Sequence, residues 1–76
     1  MAISTKYLGA TRLQGRRVKA SCEAGSIVIL WSDEYEAIEN HILARDALSA
    51  KLNWPIRTWK MGRLNSCSWA HVRVFN

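Results

Sequence analysis

The chain has 76 residues, 49% of them apolar, and its eleven lysines and arginines against six aspartates and glutamates give a formal net charge of +5. A chain this short builds only one hydrophobic core, which excludes two ordinary domains, and its apolar content excludes an intrinsically disordered segment. We therefore expect a single folded domain over residues 1–76. A deep substrate pocket would consume much of so small a protein, so we expect no enzyme.

The positive net charge predicts a surface that attracts acidic partners, either nucleic acid or a protein that handles nucleic acid. The alternative is that the surplus charge only keeps a small protein in solution, since +5 lies within the range of about 2–8 charges that suits this purpose. Composition alone leaves both interpretations open.

The first three predicted elements are strands. Residues 3–8 are typical of a short strand, and the glycine-bounded residues 9–15 are typical of a turn or mobile loop. Residues 16–22 alternate small apolar with polar and basic side chains, which predicts a half-buried strand with a basic outer face. After a turn at 23–26, the β-branched run at 27–31 is apolar on both faces, as in a central strand, and completes a β-hairpin.

A helix is predicted over residues 32–52. It begins at Ser32, an N-cap candidate followed by acidic residues in the first turn, and it ends before Pro55, where Asn53 can adopt a left-handed C-cap. The residues expected on its apolar face are Ile38, Ile42, Leu48 and Leu52, with Ala37 and Ala44 at the edge.

Two further strands are predicted at residues 56–61 and 69–75, joined by a loop at 62–68. The element order is then β-β-β-α-β-β, which predicts an α+β fold in which one helix packs on one face of an antiparallel sheet. In the last strand aliphatic side chains alternate with aromatic and basic ones. We expect the aromatic and basic side of that strand to face away from the helix.

The predicted contact surface is the sheet face that the helix leaves open. Cations from several strands would meet there beside an aromatic ring, which suits phosphate contacts with base stacking, or a protein partner. The predicted partner-binding residues are Arg16, Arg17, Lys19, Arg57, Lys60, Trp69 and Arg73. The alternative is an ordinary solvated face, because alternation in an antiparallel sheet produces a polar outer side by default.

Four tryptophans are many for a chain of this length. They cannot all be fully buried beneath one helix, so one or two of them should be exposed. Trp31 and Trp54 are the better candidates for the core and its rim, and Trp59 and Trp69 for the surface.

The sequence predicts no catalytic site, no metal site and no cofactor. His41 and Arg45 are spaced i and i+4 on the apolar face of the helix, but no third group is placed to complete a catalytic arrangement. We expect both to be hydrogen-bonded residues at the rim of the core, with a nearby glutamate as partner. His71 is expected to be a surface residue of the last strand.

The two cysteines, Cys22 and Cys67, lack the spacing of a redox or zinc motif, and we expect unbridged thiols in a reducing compartment. The N-terminus carries no apolar export segment, and no run of 18 apolar residues occurs. The expected location is therefore the cytoplasm, without membrane contact.

Short motifs along the chain carry a resemblance. I-S-T-K-Y-L-G at residues 3–9 is followed by G-R-R-V-K-A at 15–20, then E-N-H at 39–41 and L-N-W at 52–54. In these motifs the chain resembles a group of small proteins carried by bacterial phages and mobile elements. The resemblance spans most of the chain, and the group has no settled activity to transfer.

Small phage proteins of this size often resemble anti-CRISPR and other anti-defence inhibitors, which are non-enzymatic and dock on a host nuclease complex. Many of these are acidic mimics of DNA, and a chain of charge +5 is not such a mimic. The context therefore implies an inhibitor of a CRISPR effector complex in the bacterial cytoplasm, which either occupies an acidic patch on a subunit or holds nucleic acid in an unproductive way. The alternatives are a small nucleic-acid-binding protein that uses the same face and a minimal enzyme around His41. The oligomeric state stays open.

Overall fold

In the computed structural model the described residues are 2–54, 58–65 and 67–74, with side chains described except at 58, 73 and 74. The elements are β1 (Ala2–Leu8), β2 (Arg17–Cys22), β3 (Gly25–Leu30), α1 (Ala37–Lys51), β4 (Thr58–Asn65) and β5 (Ser68–Val74). Their order confirms the predicted β-β-β-α-β-β arrangement, an α+β fold with one helix against an antiparallel sheet.

The five strands form one sheet in the order β3-β2-β1-β5-β4, and every neighbouring pair is antiparallel. The N-terminal strand β1 is therefore central. Strand β3, whose apolar run predicts a central strand, lies at an edge of the sheet, so that prediction is wrong. Thr5 marks the register, since it stands opposite Ala20 of β2 and Trp69 of β5. Residues directly opposite each other share a face, so the register decides which side chains meet.

Helix α1 packs on β1, β2 and β3. The fully buried apolar residues at this contact are Ile3, Val18, Ala20, Ala44 and Leu48. They follow the strand period of two and the helical period of 3.6, as expected for elements that each bury one face. The β4–β5 hairpin continues the sheet beyond the helix.

The predicted start of the helix is wrong by about one turn, because Asn40 organises the residues before it differently. Its fully buried side chain accepts a hydrogen bond from the Ser32 N–H at 2.8 Å and donates to the carbonyls of Ser32 and Glu36 at 2.9 and 3.1 Å. The acidic segment thus wraps around an amide side chain instead of forming the first helical turn. The N-cap is Glu36, whose side chain makes no capping bond.

The end of the helix agrees with the prediction. Asn53 has a φ of 56°, the left-handed conformation expected of it. The Asn53 N–H donates to the Ala50 carbonyl at 3.1 Å and the Trp54 N–H to the Ser49 carbonyl at 2.9 Å, the two bonds of a Schellman motif.

The second hairpin differs from the prediction in its turn. Gly62, expected to begin a loop, lies inside β4 opposite Ala70. The chain reverses next to Asn65, whose Oδ1 accepts a hydrogen bond from the Cys67 N–H at 2.8 Å, as in an Asx turn. The asparagine, not the glycine, supplies the turn chemistry.

The predicted facing of β5 is wrong. His71 is fully buried and stands opposite the core residue Ile3, whereas Val72 is 48% exposed. The aromatic and polar side of β5 therefore lies on the face that α1 covers, and its aliphatic side lies on the open face. Alternation predicts two faces but not which of them is buried.

The tryptophans also differ from expectation. Trp31, Trp54, Trp59 and Trp69 are all half-buried, so none of them is a fully exposed surface ring. Trp31 and Trp54 pack against the core, as predicted, and Trp59 does so as well.

Cys22 and Cys67 are not joined by a disulfide. In the described part of the chain no helix has the length and apolar character to cross a membrane. No cluster of three or more potential metal ligands occurs among the same residues.

Candidate functional site

Among the described residues, the sheet face opposite α1 carries four cations, and we name it the open cationic face. Its cations are Lys6 of β1, Arg17 and Lys19 of β2, and Lys60 of β4. Its apolar members are Leu8, Val28, Leu30 and Val72. Each of these residues alternates along its strand with a residue on the helix side, which is how the strand geometry places them together.

Lys6 and Lys19 are both exposed and stand directly opposite each other in the β1–β2 ladder. Side chains in such a pair have Cβ atoms roughly 5 Å apart, and like charges at that distance destabilise the sheet. No carboxylate relieves the repulsion, since within the described residues neither lysine forms an ion pair. Folding alone therefore does not explain why two lysines stand opposite each other at the centre of the sheet.

The six carboxylates of the chain all lie outside the strands. Glu23 is in the β2–β3 turn, and the other five lie in the segment before α1 or on α1 itself. The sheet face opposite the helix therefore carries no acidic residue, although acids make up more than a third of the charged side chains. The acidic side chains therefore all lie away from this face, whereas the helix side carries cations as well, among them Arg45 and Arg63.

Each cation that β2 and β4 contribute to the open cationic face has an exposed apolar side chain directly opposite it. Lys19 faces Val28, Arg17 faces Leu30, and Lys60 faces Val72. The exposed fractions of the apolar partners are 44%, 77% and 48% respectively. Cationic heads beside exposed aliphatic groups combine the two features that macromolecular interfaces use, charge for orientation and apolar area for binding energy.

A row of small residues crosses the same face. It runs over all five strands through the register pairs of Ser26, Ser21, Ser4, Ala70 and Gly62. Because none of these side chains is bulky, the row forms a shallow depression. The Lys6–Lys19 pair lies on one side of it, and Val72 and Lys60 lie on the other. A partner can approach the backbone closely along this row.

The structure brings together three of the seven predicted contact residues, namely Arg17, Lys19 and Lys60. Arg57 lies outside the described residues. Arg73 stands opposite Trp59 in the β4–β5 ladder, and its side chain is likewise outside the described part.

Two other predicted residues lie elsewhere. Trp69 stands opposite Thr5, on the helix side of the sheet, so its predicted place beside Lys19 is wrong. Arg16 precedes β2 and forms an exposed ion pair with Asp33. Sequence reasoning missed Lys6, which alternation along β1 places on the same side as Lys19.

A buried polar cluster on the helix side was also missed. The Thr5 hydroxyl lies 2.8 Å from His71 Nε2 and 2.7 Å from His41 Nδ1. All three side chains are almost completely buried. His41 and His71 are therefore core residues, and the expectations of a rim and a surface position are wrong.

Burial lowers the pKa of both histidines. The pKa of His71 falls to about 4, because of burial first and then because of the nearby positive charge of Arg45 and the neighbouring His41. The pKa of His41 is lowered by burial. Both rings are neutral at pH 7, and a neutral ring bonds well to a hydroxyl, which can donate to one ring and accept from the other.

Arg45 lies beside this cluster. Its guanidinium forms an ion pair with Asp46 at 3.0 Å and stacks over the Trp59 ring at 5.2 Å from the ring centre. The expected glutamate partner is thus replaced by an aspartate and an aromatic ring. The contact with the Trp59 ring connects α1 with β4.

Comparisons with protein-family models, with curated proteins and with solved structures gave no match. The two surfaces of the sheet differ in how accessible they are. The Thr5 hydroxyl is fully buried and no substrate reaches it in this conformation. The open cationic face is accessible along its whole length.

Proposed function

We propose that this protein is a non-enzymatic docking protein that binds an acidic protein surface through the open cationic face. The observation that carries the proposal is the separation of charge, with four cations and no carboxylate on that face. A complementary acidic surface would screen the Lys6–Lys19 repulsion, so that binding recovers a free energy that folding gives up.

The partner class that we propose is a bacterial defence nuclease complex, on which the protein would act as an anti-CRISPR-like inhibitor in the host cytoplasm. The proposed class follows the resemblance of the chain's short motifs to those of phage and mobile-element proteins. Nuclease subunits also present acidic patches where they hold catalytic cations, and such patches complement clustered lysines.

A protein partner is favoured over single-stranded nucleic acid because the open cationic face has no aromatic side chain among its described residues. Binding of single strands combines cations with aromatic platforms on which bases stack. The tryptophan expected to supply that platform, Trp69, lies on the helix side. Exposed Val28, Leu30 and Val72 suit an aliphatic protein surface instead.

The direct test is inhibition of target cleavage by a purified CRISPR effector complex. Lys19→Glu is expected to weaken inhibition at least about tenfold, since it reverses a charge at the centre of the face. Arg12→Glu is the matched control, because it changes the net charge equally at an exposed loop position away from the sheet. Control and wild type should agree within about twofold.

Three results would contradict the proposal. These are a pull-down from a CRISPR-active host that recovers no defence subunit, unaltered phage restriction in the same strain, and equal inhibition by Lys19→Glu and Arg12→Glu. A salt titration with duplex and single-stranded oligonucleotides tests the alternative, since each neutralised phosphate of a duplex gives a log–log slope of roughly −0.9. Steep binding that depends on Lys19, without recovery of a subunit, would favour a nucleic-acid-binding protein.

A further inference from the structure

A cleft lies on the helix side of the sheet, where the β4–β5 hairpin extends past the N-terminal end of α1. Its volume is about 430 Å³. Known small-molecule sites range from roughly 300 to 1,000 Å³, so the cleft accommodates one small ligand. The lining residues that carry the argument are Tyr7, Arg16, Trp31, His41, Arg63 and Trp69.

Three half-buried aromatic rings line this cleft. Tyr7 and Trp31 meet edge to face, with ring centres 4.9 Å apart and planes at 78°. His41 holds Trp31 from another side, with centres 6.0 Å apart and planes at 87°. Trp31 is therefore fixed by two perpendicular neighbours before any ligand arrives, while Trp69 contributes a ring from β5. Preformed aromatic walls suit a flat ring.

The same cleft carries two arginines against one carboxylate, that of Glu36. Arg63 stands directly opposite Trp69 in the β4–β5 ladder, so a cation and an aromatic ring are adjacent on one wall. Its Nε donates to the Asn65 carbonyl at 3.2 Å, which orients the guanidinium, and its other N–H groups have no hydrogen-bond partner among the described residues. Arg16 is held through its ion pair with Asp33.

His41 supplies a third kind of contact. It is only 2% exposed, yet it lines the cleft, and its Nδ1 is engaged by the Thr5 hydroxyl. Its Nε2 has no hydrogen-bond partner among the described residues, so one directional polar atom remains for a ligand. Ala37 and Ile38, the first two residues of α1, line the same space, and the start of a helix favours an anion.

We propose that this cleft binds a small planar aromatic anion, with a free nucleoside monophosphate as the ligand class. The base would stack against Trp31 and Trp69, and the phosphate would bind the Arg63 guanidinium beside the start of α1. The site lies on the opposite side of the sheet from the open cationic face. It is therefore independent of the proposed docking function.

The test is a titration of the full chain with AMP, followed by tryptophan fluorescence and by calorimetry. AMP is expected to quench the fluorescence and to bind at least about tenfold more tightly than adenosine or inorganic phosphate alone, because only AMP engages rings and arginine together. Arg63→Gln should weaken AMP binding at least about tenfold. Arg12→Gln is the matched control, and it should change binding less than about twofold.

Absence of heat and of quenching at about 1 mM AMP would overturn the assignment, as would equal binding of AMP and adenosine. Equal effects of Arg63→Gln and Arg12→Gln would also overturn it. Testing each variant in the assay of the other proposal distinguishes the two proposals. Lys19→Glu should retain AMP binding, and Arg63→Gln should retain docking on the effector complex. Loss of AMP binding in Lys19→Glu would place the nucleotide on the open cationic face and would contradict the assignment to the cleft.

Discussion

At the scale of single residues, the contact between helix and sheet depends on polar groups that satisfy each other. Thr5 bonds both His41 and His71, and these three side chains come from β1, α1 and β5. A buried hydroxyl or imidazole without a partner would destabilise the fold by about 1–3 kcal/mol. Among the described residues the buried Nδ1 of His71 has no hydrogen-bond partner, whereas its Nε2 contacts the Thr5 hydroxyl.

The His71 ring predicts that the protein loses stability in mild acid. The folded-state pKa is about 4 and the ordinary value is 6.5, so between these two pH values the unfolded chain binds a proton that the folded chain does not. Stability from this group is complete above pH 6.5 and is lost as the pH falls to about 4. The lost free energy of unfolding is roughly 3 kcal/mol, at 1.36 kcal/mol per pKa unit.

Chemical denaturation of wild type and His71→Gln at several pH values measures this loss. A glutamine amide can still donate to the Thr5 hydroxyl but does not titrate. The difference in free energy of unfolding between the two proteins should shrink as the pH falls from 7 toward 4. Carboxylates titrate in both proteins and cancel, so parallel curves would show that His71 is not the group responsible.

The buried polar residues could not be predicted from the sequence. Asn40, His41 and His71 were assigned no place in the core because polar side chains are mostly exposed. Asn40 bonds the backbone of residues four to eight positions before it. His41 and His71 bond a partner far away in the chain, since Thr5 is 36 residues from His41 and 66 from His71. A local pattern carries no information about such a partner.

At the scale of elements, periodicity predicted the existence and order of all six elements because each buries one face. Periodicity failed to predict two element boundaries, where an asparagine side chain bonds the backbone of nearby residues. Asn40 delays the start of α1 relative to the predicted N-cap at Ser32. The Asn65 side chain places the hairpin turn later than the predicted loop, which begins at Gly62. Periodicity also failed on the facing of β5, since alternation is symmetric with respect to which side is covered.

The facing of β5 predicts opposite responses at two neighbouring apolar positions of the sheet. Val72→Thr should change the free energy of unfolding by less than about 0.5 kcal/mol, because Val72 is on the open face and half exposed. Ile3→Ala should cost about 2–5 kcal/mol, since it leaves a cavity in the core. Thermal or denaturant unfolding compares the two variants. Severe destabilisation by Val72→Thr would mean that the aliphatic side of β5 is the covered one.

At the scale of the whole molecule, sequence composition predicted a basic protein but not the arrangement of its charges. Three of the predicted cations meet on the open cationic face, and Lys6 joins them because β1 is the central strand. No local pattern indicates that a first strand pairs with both the second and the last. The strand order thus turns scattered lysines and arginines into one surface.

This arrangement predicts a conflict between stability and binding. Lys6→Glu should raise the free energy of unfolding by about 0.2–1 kcal/mol, because it replaces a like-charge pair with Lys19 by an opposite-charge pair. The gain should fall in 1 M salt, where charges are screened within about 3 Å. The same substitution should weaken docking on an acidic partner, since it places a carboxylate at the centre of the cationic face.

Denaturant unfolding at low and high salt, together with the cleavage-inhibition assay, measures both effects on one variant. Arg12→Glu changes the net charge equally without a lysine opposite it in a ladder, so it should move neither quantity. A stabilised Lys6→Glu that still inhibits would show that the repulsive pair serves no partner. A destabilised one would show that Lys6 contributes to folding, and the charge separation would then lose its functional meaning.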